Sequence, residues 1–425
     1  MIEDRMDPSA KPAPATGKQR LASLDFIRGI AVMGILVANI IAFGQPQSAY
    51  IWPGAFLTEH GPVSDWLWVA QFTLIDGKMR GLFALLFGAG MMLFLDRAWA
   101  RGSGRWLQVR RLFWLFAFGY AHYLFLSKGD ILTIYASCGL IALLFVKWQP
   151  KTQLWVGIVV YLLGAVKDIF AWGRMYASAA GEMAGPPGSM AAMAAEMRDA
   201  GLADERAETA LIQAGDYGAW VTHNIAEHGT QPLLAWFQNG LEIIPLILIG
   251  MALYRFGLFD GRIAPRRQAL WGWIGVIVGL AGTLAIGLWN HAEGIGYMGA
   301  LWSFDGLSRA PLLPMVMGLA ALLALWGPRA TGWLGSRISA AGRMAFSNYL
   351  GTSILMLFVF HGWALGLFGE LTRPALYGVV LATWAIMLIW SRAWLARFRF
   401  GPLEWVWRCL TYARIVPIRR AADPG

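Results

Sequence analysis

Ten stretches of predominantly apolar residues, each near the ~20 residues that carry a helix across a bilayer, run through this 425-residue chain. They cover 26–44, 79–96, 112–127, 130–147, 153–171, 235–254, 269–289, 310–326, 345–367 and 375–395. A segment inside hydrocarbon has to satisfy its own backbone hydrogen bonds, which a helix does. The expected fold is therefore all-α, a polytopic transmembrane bundle of about ten helices.

With 57% hydrophobic and 14% charged residues the chain is too apolar for a soluble globule. Its net charge of +10 would suit a nucleic-acid partner, but the placement of the cations argues for membrane orientation instead. Arg97, Arg101, Arg105, Arg110 and Arg111 fall in one connection, Arg255, Arg262, Arg266 and Arg267 in another, and Arg329, Arg337 and Arg343 in a third. The alternate connections 45–66, 172–234 and 290–308 carry few cations. Cations collect on the cytoplasmic side, so both termini are expected in the cytoplasm, with no nucleic-acid partner.

The resulting division is a disordered tail (1–22), a first bundle of five helices (23–172), an extracytoplasmic segment forming a small helical cap (173–234), a second bundle of five helices (235–400) and a basic tail (401–425). Segment 64–78 is amphipathic and too short to span, so it lies in the outer interface or re-enters the bundle. Cys138 sits in an apolar run and Cys409 in the basic tail, which excludes a disulfide framework and a thiolate metal site. The histidines show no metal-binding spacing, so no metal is expected. No repeat of 20–50 residues is visible, which weighs against a secondary transporter.

Polar groups within apolar runs are functional candidates, since burying them unpaired is unfavourable. Asn39 lies near the outer end of the first helix. His122 and Asp130 flank a tight turn, where a carboxylate can orient an imidazole for general-base work. Asp130 is equally suited to capping the next helix. His60, Asp76, Glu242 and His361 share that outer level, and Glu242 would be the most unfavourable of them to bury without a partner. On the cytoplasmic side Arg28, Arg343 and Arg408 either anchor orientation or form a basic mouth for a phosphorylated cosubstrate.

The motifs LDFIRGIAVMGILVANI, FALLFGAGMMLF, GDILTIYA, LIGMALYRFGLF and, above all, GRMAFSNYLG (342–351) with GPLEWVWRCLTYAR (401–414) resemble the YeiB-like family of bacterial inner-membrane proteins, a domain of unknown function. The first helix alone is similar to that of the heparan-α-glucosaminide N-acetyltransferase-like membrane acyltransferases. That likeness implies acetyl transfer from cytoplasmic acetyl-CoA to a sugar on the far side, with Asn39 matching the family's asparagine. The family's catalytic histidine has no clean match; His60 lies in the corresponding loop, and His122 competes with it.

The reading that follows is a transmembrane acyltransferase. His122 or His60 is the base, Asp130 orients it, and Asn39 stabilises the oxyanion. Arg28, Arg343 and Arg408 bind acetyl-CoA or another acyl-CoA, which serves as cosubstrate with no tightly bound cofactor. Asp76, Glu242 and His361 contact a small-molecule, sugar or lipid acceptor. The alternative is a transporter or binding protein for a lipid or small organic molecule. Membrane lipids are partners in either case, and stripes of small residues suit a homodimer.

Overall fold

The computed structural model describes residues 22–58, 61–181 and 189–420. Most of the tail assigned to 1–22, His60, the GPPG at 185–188 and the last five residues lie outside that set.

Among the described residues the named elements are all helical. They are α1 (Ala22–Gly44), α2 (Pro62–Leu74), α3 (Lys78–Trp99), α4 (Trp106–Phe125), α5 (Leu132–Ala142), α6 (Pro150–Gly181), α7 (Met190–Ala214) and α8 (Tyr217–His228). Then come α9 (Gln231–Phe256), α10 (Pro265–Ala292), α11 (Tyr297–Leu301), α12 (Arg309–Trp326), α13 (Trp333–Arg343), α14 (Ala345–Phe360), α15 (Arg373–Arg397) and α16 (Pro402–Tyr412). Among the described residues, seven helices are long and apolar enough to cross a membrane, or eight if α13 and α14, bent by 86°, make one crossing.

The shortfall from ten has local causes. α5 has 11 residues, and with the 3₁₀ turn Leu143–Phe145 it reaches only about 21 Å, short of the ~30 Å hydrocarbon core. α4 begins at Trp106, six residues ahead of the apolar run, and so takes Arg110 and Arg111 into its first turns. The run 345–367 stops as a helix at Phe360, which leaves His361 at the helix end with extended backbone. Segment 64–78 forms the short α2, joined to α3 through Gly77 at φ +74°.

α1 is the central element, packed against α3, α12, α13, α14 and α15. α6, α10 and α15 lie at the periphery and turn apolar side chains outward, with Leu163, Ile277 and Ile389 each more than half exposed. Outward faces of this kind suit a lipid environment, where exposing leucine or isoleucine carries no penalty. One end of the bundle is covered by α7 and α8 and is called the cap end. The other, the basic end, carries the connections rich in arginine.

Small residues set how closely helices approach. A side-chain carbon built on Gly88 of α3 would overlap the Ile247 carbonyl of α9, and one on Gly250 of α9 would overlap the Leu85 carbonyl of α3. The two glycines therefore face each other's backbones across one crossing, as in small-residue membrane interfaces.

At the basic end Glu404 of α16 caps α14. Its Oε1 accepts from the Phe346 and Ser347 amides at 2.8 and 3.1 Å, and its Oε2 from the Ser347 hydroxyl at 2.5 Å. Asn348 donates to the Ala341 carbonyl at 3.0 Å and secures the α13–α14 bend from the inside.

Gly250→Leu is expected to destabilise the purified protein by about 1–3 kcal/mol through overpacking, read as a lower unfolding temperature in detergent. Gly351→Ala, with open space at that position, should leave the temperature unchanged. Glu404→Ala should remove roughly 1.5–3 kcal/mol, the worth of hydrogen bonds to a charged group, and should expose the α14–α16 contact to protease.

Candidate functional site

Two cavities enter the bundle from opposite ends. The one at the basic end holds about 200 Å³, and its wall includes Asp25, Arg28, Arg111, Arg343, Glu404 and Arg408. All three arginines anticipated from sequence thus share one wall. Arg28 Nη1 lies 3.5 Å from Asp25 Oδ1 one turn earlier on α1. Arg408 stacks over Phe400 at 4.5 Å. Arg111 of α4, which sequence reading treated as an orientation anchor, completes the cluster; its guanidinium lies between Phe94 at 4.7 Å and Trp407 at 4.4 Å. Deeper in, the wall turns apolar and aromatic, with Phe83, Phe87, Leu115 and Tyr135. Burial pushes the Glu404 carboxyl up from its ordinary range, against the hydrogen bonds it receives from α14.

The second cavity, of about 320 Å³, occupies the half toward the cap. Its wall brings together Asn39, Asp76, Asp130 and Glu242, four residues anticipated from sequence, with Tyr50, Arg80, Asp305 and Arg309. Ile35 and Ile131 belong to both walls, so the two cavities meet at these side chains.

Glu242 is 2% exposed and fully committed to cations. Arg80 Nη2 reaches its two oxygens at 3.0 and 2.9 Å, and Arg309 Nη1 pairs with Oε2. Arg309 Nε in turn reaches Asp168 Oδ2 at 3.1 Å. The partner that burial of Glu242 demands is supplied by two arginines. Arg80 and Arg309 were missed, although Arg80, a cation inside an apolar run, is itself a sign that a buried anion lies elsewhere. Asp76 Oδ1 accepts from Gln71 at 3.1 Å and from the Tyr50 hydroxyl at 3.3 Å.

Asp130 makes both contacts considered for it. One oxygen, Oδ2, accepts from the Thr133 amide and hydroxyl at 2.8 and 2.7 Å, which caps the start of α5. The other, Oδ1, stands 3.1 Å from His122 Nδ1. His122 Nε2 is 2.8 Å from Ser353 Oγ of α14, and Tyr349 packs on the ring at 5.0 Å between centroids. A neutral imidazole that donates to Asp130 and accepts from Ser353 satisfies every group in this line. Serine, histidine and aspartate thus stand in series, and of the three only Asp130 lines one of these two cavities; His122 and Ser353 lie behind it. Ser353 had no mark in the sequence, because its partner is 231 residues away.

His361 is separated from this group. It lies in a third cavity beneath the cap with Lys128, Glu205, Glu208 and Trp220, its ring edge-on to Trp220 at 5.2 Å. Ala42, Phe43, Gln47 and Ser127 line both this cavity and the chamber. Glu205 accepts from the Ser48 amide and hydroxyl at 2.8 and 2.5 Å, and burial pushes its carboxyl up from the ordinary range.

A family model described as a protein of unknown function, DUF418, matches residues 253–414. The uncharacterized protein YeiB of Escherichia coli (strain K12) is 32% identical over 416 residues, covering 96% of this chain and 98% of that protein. The uncharacterized protein YxaH of Bacillus subtilis (strain 168) is 29% identical over 423 residues, covering 96% and 98%. An uncharacterized 39.9 kDa protein encoded beside an amylase in Bacillus acidopullulyticus is 26% identical over 426 residues, covering 96% and 99%. No solved structure matches. With likeness over almost its full length to YeiB, and the DUF418 match across its second half, this chain belongs to the YeiB-like DUF418 family of membrane proteins of unknown function.

Proposed function

We propose that this chain is a membrane acyltransferase that moves an acyl group from acyl-CoA, entering at the basic end, to a hydroxyl or amine acceptor held at the cap end. The observation that carries the reading is the meeting of the two cavities at Ile35 and Ile131. An arginine-lined mouth, an aromatic neck and a polar chamber follow one another in the order that the phosphates, the pantetheine arm and the thioester of acyl-CoA would require. In this reading the basic end faces the cytoplasm, in keeping with the positive-inside rule.

Arg28, Arg111, Arg343 and Arg408 hold the phosphates by charge-assisted hydrogen bonds. In the chamber Asp130 takes the proton from the acceptor as its oxygen or nitrogen attacks the thioester carbon. His122 is a positioning residue, donating to the same carboxylate from behind. Asn39 donates its amide N–H to the carbonyl oxygen as negative charge grows there. The new carbon–oxygen or carbon–nitrogen bond forms, the carbon–sulfur bond breaks, and the proton on Asp130 passes to the departing thiolate, which leaves as the thiol. Arg80 and Arg309, held in place by Glu242 and Asp168, offer N–H donors toward an acceptor with oxygen-rich groups.

The same pair of adjoining cavities would serve a permease for a lipid or small organic molecule, and a turnover assay separates the two. Purified protein in nanodiscs with radiolabelled acetyl-CoA is expected to release or transfer label. Asp130→Asn should slow this about 10²–10⁴-fold, as for loss of a general base. Asn39→Ala should slow it about 10²–10³-fold. Binding of acetyl-CoA without turnover in the presence of varied acceptors, together with gradient-driven uptake into vesicles, would overturn the enzyme reading in favour of the permease.

Binding provides an independent check on the mouth. Arg111→Gln and Arg408→Gln should each weaken acetyl-CoA binding about tenfold or more, in line with roughly 1.5–3 kcal/mol for a hydrogen bond to a charged group. The weakening should appear in equilibrium binding even with Asp130→Asn in the background.

A further inference from the structure

We propose that Asp204, His223 and His228 form a binding site for a transition-metal ion of the zinc class, built between α7 and α8 in the cap. The proposal does not depend on the acyltransferase reading. Asp204 comes from the middle of α7, His223 from α8 and His228 from the last position of α8. His223 Nε2 lies 3.2 Å from Asp204 Oδ1, and His228 Nε2 lies 3.0 Å from Asp204 Oδ2. One ligand atom from each residue falls within 4.8 Å of the others. A tetrahedral zinc ion with bonds of about 2.0–2.2 Å places neighbouring ligand atoms roughly 3.4 Å apart, so a small rotation of these side chains closes the site.

A further observation separates a metal site from ordinary histidine–carboxylate pairing. Both Nε2 atoms are buried, and neither makes a hydrogen bond, although each is within 3.2 Å of a carboxylate oxygen. Closeness without hydrogen-bond direction means that the nitrogens do not aim at the oxygens. A buried N–H left in that state is destabilising, whereas a lone pair on the same nitrogen directed at a shared cation is satisfied. Gln231 Nε2 stands 2.9 Å from His228 Nδ1; binding a metal through Nε2 requires this amide to turn over, so that its oxygen accepts from Nδ1–H.

The site sits where it would control the cap. Lys128, in the α4–α5 turn between His122 and Asp130, lies 4.0 Å from Asp204 Oδ2 and 2.6 Å from Glu208. A cation on Asp204 repels Lys128 and leaves it to Glu208, while α7 and α8 are tied together. α8 is already fastened to the end of α4, since Asn224 donates to the Tyr123 and Leu124 carbonyls at 2.9 and 3.0 Å. The ion thereby fixes α7 over the turn that holds Asp130.

The test uses the full chain, purified in nanodiscs and stripped with chelator, then titrated with Zn²⁺ in competition with a chromophoric chelator. One equivalent should bind, and His223→Ala, His228→Ala and Asp204→Asn should each weaken it by at least about tenfold. In the unaltered protein, Zn²⁺ should also protect His223 and His228 from diethyl pyrocarbonate, and Co²⁺ should give the intense visible absorption of a tetrahedral site. The proposal is overturned if the stripped protein takes up no Zn²⁺, if the variants bind as tightly as the parent, or if bound Zn²⁺ leaves both histidines open to modification.

Discussion

The pairing of Glu242 with Arg80 and Arg309 is the constraint on which the interior depends. A carboxylate from α9, a guanidinium from α3 and another from α12 meet where water is scarce, and Asp168 of α6 shares the second guanidinium. The backbone carbonyls of the same two arginines accept from Tyr135 of α5 at 2.7 Å and Tyr161 of α6 at 3.1 Å. Removing one member of such a group leaves an uncompensated buried charge, an effect of about 3–5 kcal/mol. Five helices are therefore registered to one another by a single charge cluster, and that register opens the chamber.

Around this cluster the close crossing of α3 and α9 is as important as the charges. Gly88 and Gly250 let two backbones touch, which brings Arg80 and Glu242 within hydrogen-bond reach two turns away. At the basic end the same logic appears in polar form, where Glu404 fastens α16 across the exposed amides of α14. The segments GRMAFSNYLG and GPLEWVWRCLTYAR therefore contain the two halves of one contact.

Asp130 links structure to chemistry. With one oxygen it begins a helix, and with the other it holds His122, so the chamber wall and the α4–α5 turn cannot move independently. This turn also presents Lys128 to Glu208 of α7, which couples the chamber floor to the cap. A site built on a helix start, a buried imidazole and a packed tyrosine is rigid in the way that positioning of a reacting group demands.

The sequence by itself determined the all-helical membrane class, the helical cap, the separation of cations toward alternate connections and the polar residues worth attention. These follow from apolar run length and charge placement, which are local properties. It also brought Asn39, Asp76, Asp130 and Glu242 to one level, and that level became one chamber. Only the tertiary structure decided that His122 stands behind Asp130 against Ser353, that Glu242 is held by two arginines, and that Asp204 meets two histidines. Those partners are separated by long stretches of chain, and whether two helices bring them together depends on crossing points set by glycine, not on any periodicity within a helix. The count of candidate crossings changed at the same level, because α5 is too short to span by itself.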